Sequence, residues 1–383
     1  MTRNYQICQR CVMDTSVPDI QFDADGICNY CRGYDERARN ELHYDKQGQE
    51  LLQGLLAKIK ETGRQKEYDC ILGVSGGVDS SMLAYIAKVQ LGLRPLAVHL
   101  DNGWNSELSV NNIERMLKKL GIDLYTHVLD WEQFKDLQLS FLKASVPNAE
   151  IPTDHAIFAT LFRVAAKRGI GYILSGGNIV TEAIMPASWM YYNGDFRIIR
   201  GIQKKFGTHS LKGFPKLSLF DWFNHIYLKR IRYTPILNYI PYNKNEAKAL
   251  LERELGWKDY GSKHYESIYT RFFQGYILPT KFGIDKRRPH LSTLVCSGQI
   301  KRPEALAELE RPPYSPDRLK EDREYVIKKF GLTEKEFEDI MKLPIKRHQD
   351  YPNNDFWYKR LSYFFRKARR FATHTKGARP QNS

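Results

Sequence analysis

Residues 69–91, DCILGVSGGVDSSMLAYIAKVQL, restrict the possible folds of this chain more than any other stretch. Residues 70–74 are an apolar run of strand length. Ser75-Gly76-Gly77-Val78-Asp79-Ser80 interrupts it, and Val78, Met82, Tyr85, Ile86 and Val89 then recur at the spacing of one helical face. A strand that turns through paired glycines into a helix start is expected to cradle an anion. Backbone N–H groups converge there, the helix dipole is positive, and glycine lets a phosphate approach the main chain. Ser75, Gly76, Gly77 and Ser80 are therefore candidate phosphate-binding residues, with the serine hydroxyls as donors. Asp79 cannot hold a phosphate and reads as a Mg²⁺ ligand. The stretch is neither GxxxxGK[ST] nor GxGxxG. A bare glycine pair would suit any strand-to-helix turn; the complete hexapeptide behind an apolar strand favours the phosphate site.

The length of 383 residues suits an α/β core with appendages. No apolar run approaches 18 residues, so no transmembrane segment is expected. The start, MTRNYQICQRC, lacks the apolar region of a signal peptide, and a cytoplasmic enzyme is the expectation. A net charge of +15 implies an anionic partner. Nucleic acid, a sugar nucleotide, ATP and an acidic membrane surface all qualify, and charge does not choose among them.

Four of the six cysteines form two CxxC pairs, Cys8/Cys11 and Cys28/Cys31, separated by sixteen residues. That spacing is expected of a four-cysteine zinc ribbon, with Asp25-Gly26 turning a hairpin before the second pair. A redox CxxC would need a thioredoxin-like βαβ context, which is absent here. Zn²⁺ held by four protein thiolates leaves no open position, so its expected role is structural.

The chain divides into a ribbon at 1–38, a linker and amphipathic helix at 39–66, an α/β core at 67–300, and a helical extension with a basic tail at 301–383. Within the core, strands are expected at 69–74, 94–100, 124–129 and 172–174, with helices at 109–120 and 153–168 between them. Thr153 and Asp154 are candidate caps of the second helix. Strands alternating with helices imply a parallel sheet that binds ligands at its carboxyl edge. Three strand ends carry polar or glycine-rich turns: SGGVDS, Asp101-Asn102-Gly103, and Ser175-Gly176-Gly177-Asn178. Asp101 or Asn102 could meet a nucleoside, and Gly176, Gly177 and Asn178 a phosphate or ribose.

Residues 186–240 read as a loop-and-helix insertion near the substrate, followed by a helix capped by Asn243 and ended by Gly256. In 263–302, Tyr269, Phe272, Phe273 and Tyr276 form an apolar helical stripe of core type. Lys263, Arg271, Lys281, Lys286, Arg287 and Arg288 lie near Glu266 and Asp285 in sequence. These cations suit a phosphate or carboxylate, and equally a solvated face. Past 303 the pattern is of capped amphipathic helices. The final WYKRLSYFFRKARRFATHTKGARPQNS mixes aromatic and basic residues, and either an anionic surface or a frayed tail fits it.

SGGVDS matches the SGGxDS signature of the PP-loop, or N-type, ATP pyrophosphatases. The chain also resembles the N-acetyl sugar amidotransferases of the WbpG/PseA type. That resemblance rests on CQRCVMDTSVPDIQFDADGICNYC, ILGVSGGVDSS, LSGGN and KHYESIYTRFFQGYILPTKFGIDKRRPHLSTLVCSGQIKRPEAL, and runs from about residue 5 to about residue 310. It implies conversion of the acetamido group of a nucleotide-activated sugar to an acetamidino group, in lipopolysaccharide O-antigen or flagellar glycan synthesis. Ser75, Gly76, Gly77 and Ser80 would hold the pyrophosphate of ATP, Asp79 would hold Mg²⁺, and Lys281 or Arg287 would meet developing charge. The chain shows neither an N-terminal cysteine nucleophile nor a glutaminase signature around Cys70 or Cys296. The resemblance accordingly implies ammonia from a separate glutaminase with a cyclase-like companion subunit. The rival reading is tRNA thiolation. It shares the loop, ribbon and basic charge, but its cluster-bearing members need a CxxC inside the core, where this chain has only Cys70 and Cys296. A ribbon-bearing nucleic-acid-binding module with a degenerate nucleotide fold is disfavoured by the intact SGGVDS, and no nucleic acid partner is expected.

Overall fold

The computed structural model describes residues 4–261, 265–356 and 360. Lys263 and nearly all of the aromatic and basic tail lie outside the described residues.

The ribbon leads through its second CxxC into α1 (Asn29–Glu41), and α2 (Lys46–Gly63) follows, capped by Asp45 on Gly48 N. The core then alternates: β1 (Cys70–Gly73), α3 (Val78–Tyr85), β2 (Pro95–Asp101), α4 (Glu107–Leu120), β3 (Asp123–Val128), α5 (Trp131–Ala144), α6 (Ile151–Arg168) and β4 (Tyr172–Ser175). After α7 (Ile179–Glu182), α8 (Phe196–Phe206) and α9 (Leu219–Phe223), a fifth strand β5 (Arg232–Pro235) joins the sheet, and α10 (Lys244–Leu255) packs on α3 and α4.

All five strands are parallel, in the order β3-β2-β1-β4-β5. The chain winds one way from β1 to β3 and then returns to the other side of β1, so the winding reverses between β1 and β4. A doubly wound sheet opens its ligand crevice at the carboxyl ends of those two strands. Both faces are covered. Cys70, Leu72 and Leu174 point into the cluster formed with α2, α3, α4 and α10, while Ile71, Val98 and Ile173 pack under α6. Each such fully buried aliphatic side chain contributes about 1.5–3 kcal/mol.

Several local expectations are corrected. Val89 is exposed, because α3 passes into a π-helical turn over Ile86–Gln90 that rotates it off the buried face. Thr153 and Asp154 do not cap α6; Pro152 in the first turn starts that helix earlier, with Glu150 at the cap. Helix α5 and strand β5 were not anticipated. By contrast Asn243 caps α10 through Asn245 N and Glu246 N, and Gly256 ends it at φ +66°.

The later elements are α11 (Ile268–Phe272), a π-helical stretch Phe273–Phe282, α12 (Arg287–Cys296), α13 (Arg302–Glu310), α14 (Pro316–Phe330) and α15 (Glu334–Lys342). Val326, Phe330 and Phe337 share one apolar cluster with Trp104, Tyr269, Phe272 and Phe273. Arg271 is buried there, donating to Asp322 at 2.7 and 2.8 Å from Nε and Nη2.

Candidate active site and metal centre

Two glycine turns meet at the switch point. Gly76 has φ +83°, and a Cβ there would lie 2.8 Å from Tyr260 Oη and 2.9 Å from Ser109 O, so both backbone sign and space require glycine. Its carbonyl accepts from Trp257 Nε1 at 2.8 Å and Tyr260 Oη at 3.0 Å, which ties the loop to the end of α10. A Cβ on Gly176 would sit 3.0 Å from Asp79 O, so the second turn lies directly against the first turn of α3. Helix α3 starts at Gly77 with no side chain capping it, leaving the anion-binding end of the helix facing the crevice. Ser80 Oγ donates to Gly77 O and accepts from Ser75 N, shaping the loop from within.

Ser75, Gly77, Asp79, Ser80, Gly176 and Gly177 line a cavity of about 630 Å³. Residues from the C-terminal third of the chain line it as well: Arg271, Gln274, Lys286, Arg287, His290 and Leu294. Arg287 is held bidentately by Asp285 and donates to the carbonyls of Glu308 (3.1 Å) and Arg311 (2.8 Å), which fixes its charge at the rim. Asp79 accepts from Tyr242 Oη, whose pKa burial and the Asp79 carboxylate push up. Glu182 and Glu266 line the same cavity, and the Asp79 carboxylate at the start of α3 is a hard, anionic oxygen donor of the kind that suits Mg²⁺.

Three anticipated site residues fall elsewhere. Lys281 donates from Nζ to the carbonyls of Ile340, Met341 and Leu343 at 2.8–2.9 Å, finishing the C-terminal end of α15 away from the loop. Asp101 ends β2, one strand off the switch point, and accepts from Gly103 N and Asn105 Nδ2 without lining the cavity. Asn178 is buried as the cap of α7, accepting from Thr181 N and Oγ1. Of the other cations, Arg288 donates to Val12 O and pairs with Asp14, binding the ribbon rather than a ligand.

Residues missed from sequence include Tyr242, Trp257, Tyr260, Glu182 and the pair Lys244 and Lys248. The lysines sit i, i+4 on α10 and both line the cavity, a spacing that was legible. Behind Lys286 and Gln274, Glu150 accepts from Gln274 Nε2 at 2.7 Å, and Asp154 accepts from Asn193 Nδ2 at 2.9 Å. Desolvation, with Glu150 adding repulsion, pushes the Asp154 carboxyl up to about 7. Between the ordinary carboxylate range and about 7, the native state holds a proton that the unfolded chain has released. Stability then falls as pH rises through that window. Asp154→Asn is expected to be more stable than the parent at pH 8 by about 1–3 kcal/mol, with the difference vanishing near pH 4, as read by thermal melts across pH.

The ribbon sulfurs are placed as one ion requires. Cys8–Cys31, Cys28–Cys31 and Cys11–Cys28 Sγ atoms lie 3.8, 3.7 and 3.6 Å apart, and all four fall within 4.8 Å of one another. A Zn–S bond of about 2.3 Å in a tetrahedron puts sulfurs about 3.8 Å apart. The Cys8 sulfur accepts from Cys11 N and Cys28 N, and the Cys11 sulfur from Met13 N, as thiolate ligands do. All four cysteines are buried, so the residues fit Zn²⁺. The ribbon is bolted to the cavity wall: Arg302 donates to Cys8 O and Cys11 O, Val12 N donates to Ser292 Oγ, and Cys296 Sγ lies 3.6 Å from Cys31 Sγ.

Comparison with known proteins agrees with this division. Residues 48–140 match the family model for NAD synthase, and residues 266–364 the model for the C-terminal domain of WbpG-like LPS biosynthesis proteins. A GMP synthase [glutamine-hydrolyzing] of Chlamydia muridarum is 30% identical over 138 residues, covering 36% of this chain and 25% of that protein. The GMP synthase of Pyrobaculum aerophilum is 25% identical over 219 residues, covering 50% of this chain and 40% of its own. The chain thus spans between a quarter and two-fifths of the length of these curated relatives. Among solved structures, the NH3-dependent NAD synthetase of Campylobacter jejuni aligns over 55% of this chain and 93% of its own at 15% identity and a TM-score of 0.29. Among the described residues no helix is long and apolar enough to cross a membrane. Two stretches of the chain, one similar to NAD synthase and one similar to the C-terminal domain of WbpG-like proteins, thus line a single cavity.

Proposed function

We propose that this chain is an ATP-dependent, AMP-forming amidotransferase that converts the acetamido group of a nucleotide-activated sugar to an acetamidino group, in surface-polysaccharide or flagellar-glycan synthesis. One observation carries the reading: the SGGVDS loop and the WbpG-like segment line one cavity. An amide carbon resists ammonia because resonance blunts it and oxide is a poor leaving group. Attack of the amide oxygen on the α-phosphorus of ATP forms an O–P bond and expels pyrophosphate. Ammonia then adds to the activated carbon, the C–O bond breaks, AMP carries the oxygen away, and one ammonia proton is lost to leave the amidine.

In this account Ser75, Gly77 and Ser80, with the start of α3, hold the pyrophosphate end of ATP. Asp79, oriented by Tyr242, holds Mg²⁺, which would neutralise charge on the departing pyrophosphate. Arg287 and Lys286 line the same cavity and meet the phosphates, and Lys281 takes no part. Relatives named as glutamine-hydrolysing synthases support glutamine as the source of ammonia, and the resemblance to N-acetyl sugar amidotransferases implies a separate glutaminase with a cyclase-like subunit to supply it.

The test offers ATP, Mg²⁺ and ammonia with either an acetamido sugar nucleotide or unmodified tRNA. The expected outcome is AMP and pyrophosphate release with the sugar nucleotide alone. Release driven by tRNA and not by sugar would move the chain to the thiolation class.

A further inference from the structure

The segment 219–228 presents its apolar side to solvent. Helix α9 continues as a π-helical turn over Asn224–Leu228, and no residue of either piece is buried. Phe220 is 74% exposed, Phe223 51%, Tyr227 45% and Leu228 68%. Residues 220, 223 and 227 follow i, i+3, i+7 spacing, so they form one outward stripe, with the Phe223 and Tyr227 rings 5.0 Å apart. A surface helix in a soluble domain normally turns charge outward, and this one turns aromatics outward. Exposed cations flank the stripe in sequence: Lys212, Lys216, Lys229, Arg230 and Arg232. Asp221 is the one acid in 212–233, and Ser218 N and Oγ occupy it in a capping box. Beneath the segment lies a largely apolar cavity of about 770 Å³, lined by Phe158, Phe162, Trp222, Ile226 and Tyr233.

We propose that this face docks on an anionic lipid surface, with the 219–228 segment lying in the headgroup layer. Outward Phe, Tyr and Leu with Lys and Arg close in sequence is the pattern of an interfacial helix. Lysine, three of the five flanking cations, is depleted at protein–protein interfaces but is drawn to anionic headgroups. Stable attachment takes two signals, and this face carries both, an apolar stripe and basic side chains near it in sequence.

Co-sedimentation of the full chain tests this, using vesicles of phosphatidylcholine alone or mixed with phosphatidylglycerol. Binding is expected to the mixed vesicles only and to weaken with salt. Phe220→Glu/Leu228→Glu replaces side chains that face solvent, so melting should be unchanged while the bound fraction drops at least ~10-fold. Lys216→Glu/Lys229→Glu should lower it by on the order of 10-fold and flatten the salt dependence. Three results would overturn the proposal: the parent staying in solution with mixed vesicles, both double variants binding like the parent, or lipid-free self-association that Phe220→Glu/Leu228→Glu abolishes. The last would assign the face to a second copy of the chain.

Discussion

Asp79→Asn is expected to reduce AMP formation by at least ~10³-fold while leaving the melting temperature and zinc content unchanged. The substitution keeps the shape and the acceptor for Tyr242 but removes the carboxylate charge at the start of α3. Removing one group that stabilises developing charge in a preorganised site costs this much or more. Tyr242→Phe separates positioning from charge. It leaves the carboxylate in place, so about a tenfold loss is expected, with the Mg²⁺ requirement raised rather than abolished. Equal losses in the two variants would mean that the Tyr242–Asp79 contact acts as a unit. Normal turnover in Asp79→Asn would remove this residue from the metal site.

Disrupting the four-cysteine site is the second large effect. Cys28→Ser/Cys31→Ser is expected to lower stability by several kcal/mol, a fall in melting temperature on the order of 10 °C, and to abolish turnover although no cysteine lines the cavity. The route runs through α12. Its Ser292 and Arg288, together with Arg302 of α13, bind the ribbon backbone, while its Arg287 and His290 face the cavity. Unfolding the ribbon strips partners from one wall of the site. Measured metal near one zinc per chain in the parent, lost together with the wall's protection from amide hydrogen exchange, is the expected signature. A variant that loses zinc yet keeps melting and turnover would make the ribbon a passive appendage.

The two glycine turns of the candidate site were readable from the sequence because they depend on backbone. Glycine pairs after apolar strands announce both turns, and Gly76 and Gly176 stand where a Cβ would collide. The ribbon was readable for a similar reason, since four thiolates at CxxC spacing have few uses. What failed was anything set by strand order or side-chain direction. Asp101 lies at a strand's carboxyl end like its neighbours, but β2 sits one place from the reversal in winding. Lys281 is one basic residue in a basic stretch, and the π-helical backbone of Phe273–Phe282 sends it to the carbonyls at the end of α15. Strand β5 escaped notice because a short edge strand ending in proline shows no clean alternation. Cys296 is 265 residues from Cys31, a pairing that no local pattern announces.

The central claim is that ATP turns an amide oxygen into a leaving group. Acetamido sugar nucleotide carrying ¹⁸O in its acetamido carbonyl, turned over with ATP, Mg²⁺ and ammonia, tests it by mass spectrometry of the AMP. The account predicts one ¹⁸O in the AMP phosphate, an acetamidino product free of the label, and pyrophosphate equal to AMP. Unlabelled AMP, or ADP and phosphate in its place, would contradict it.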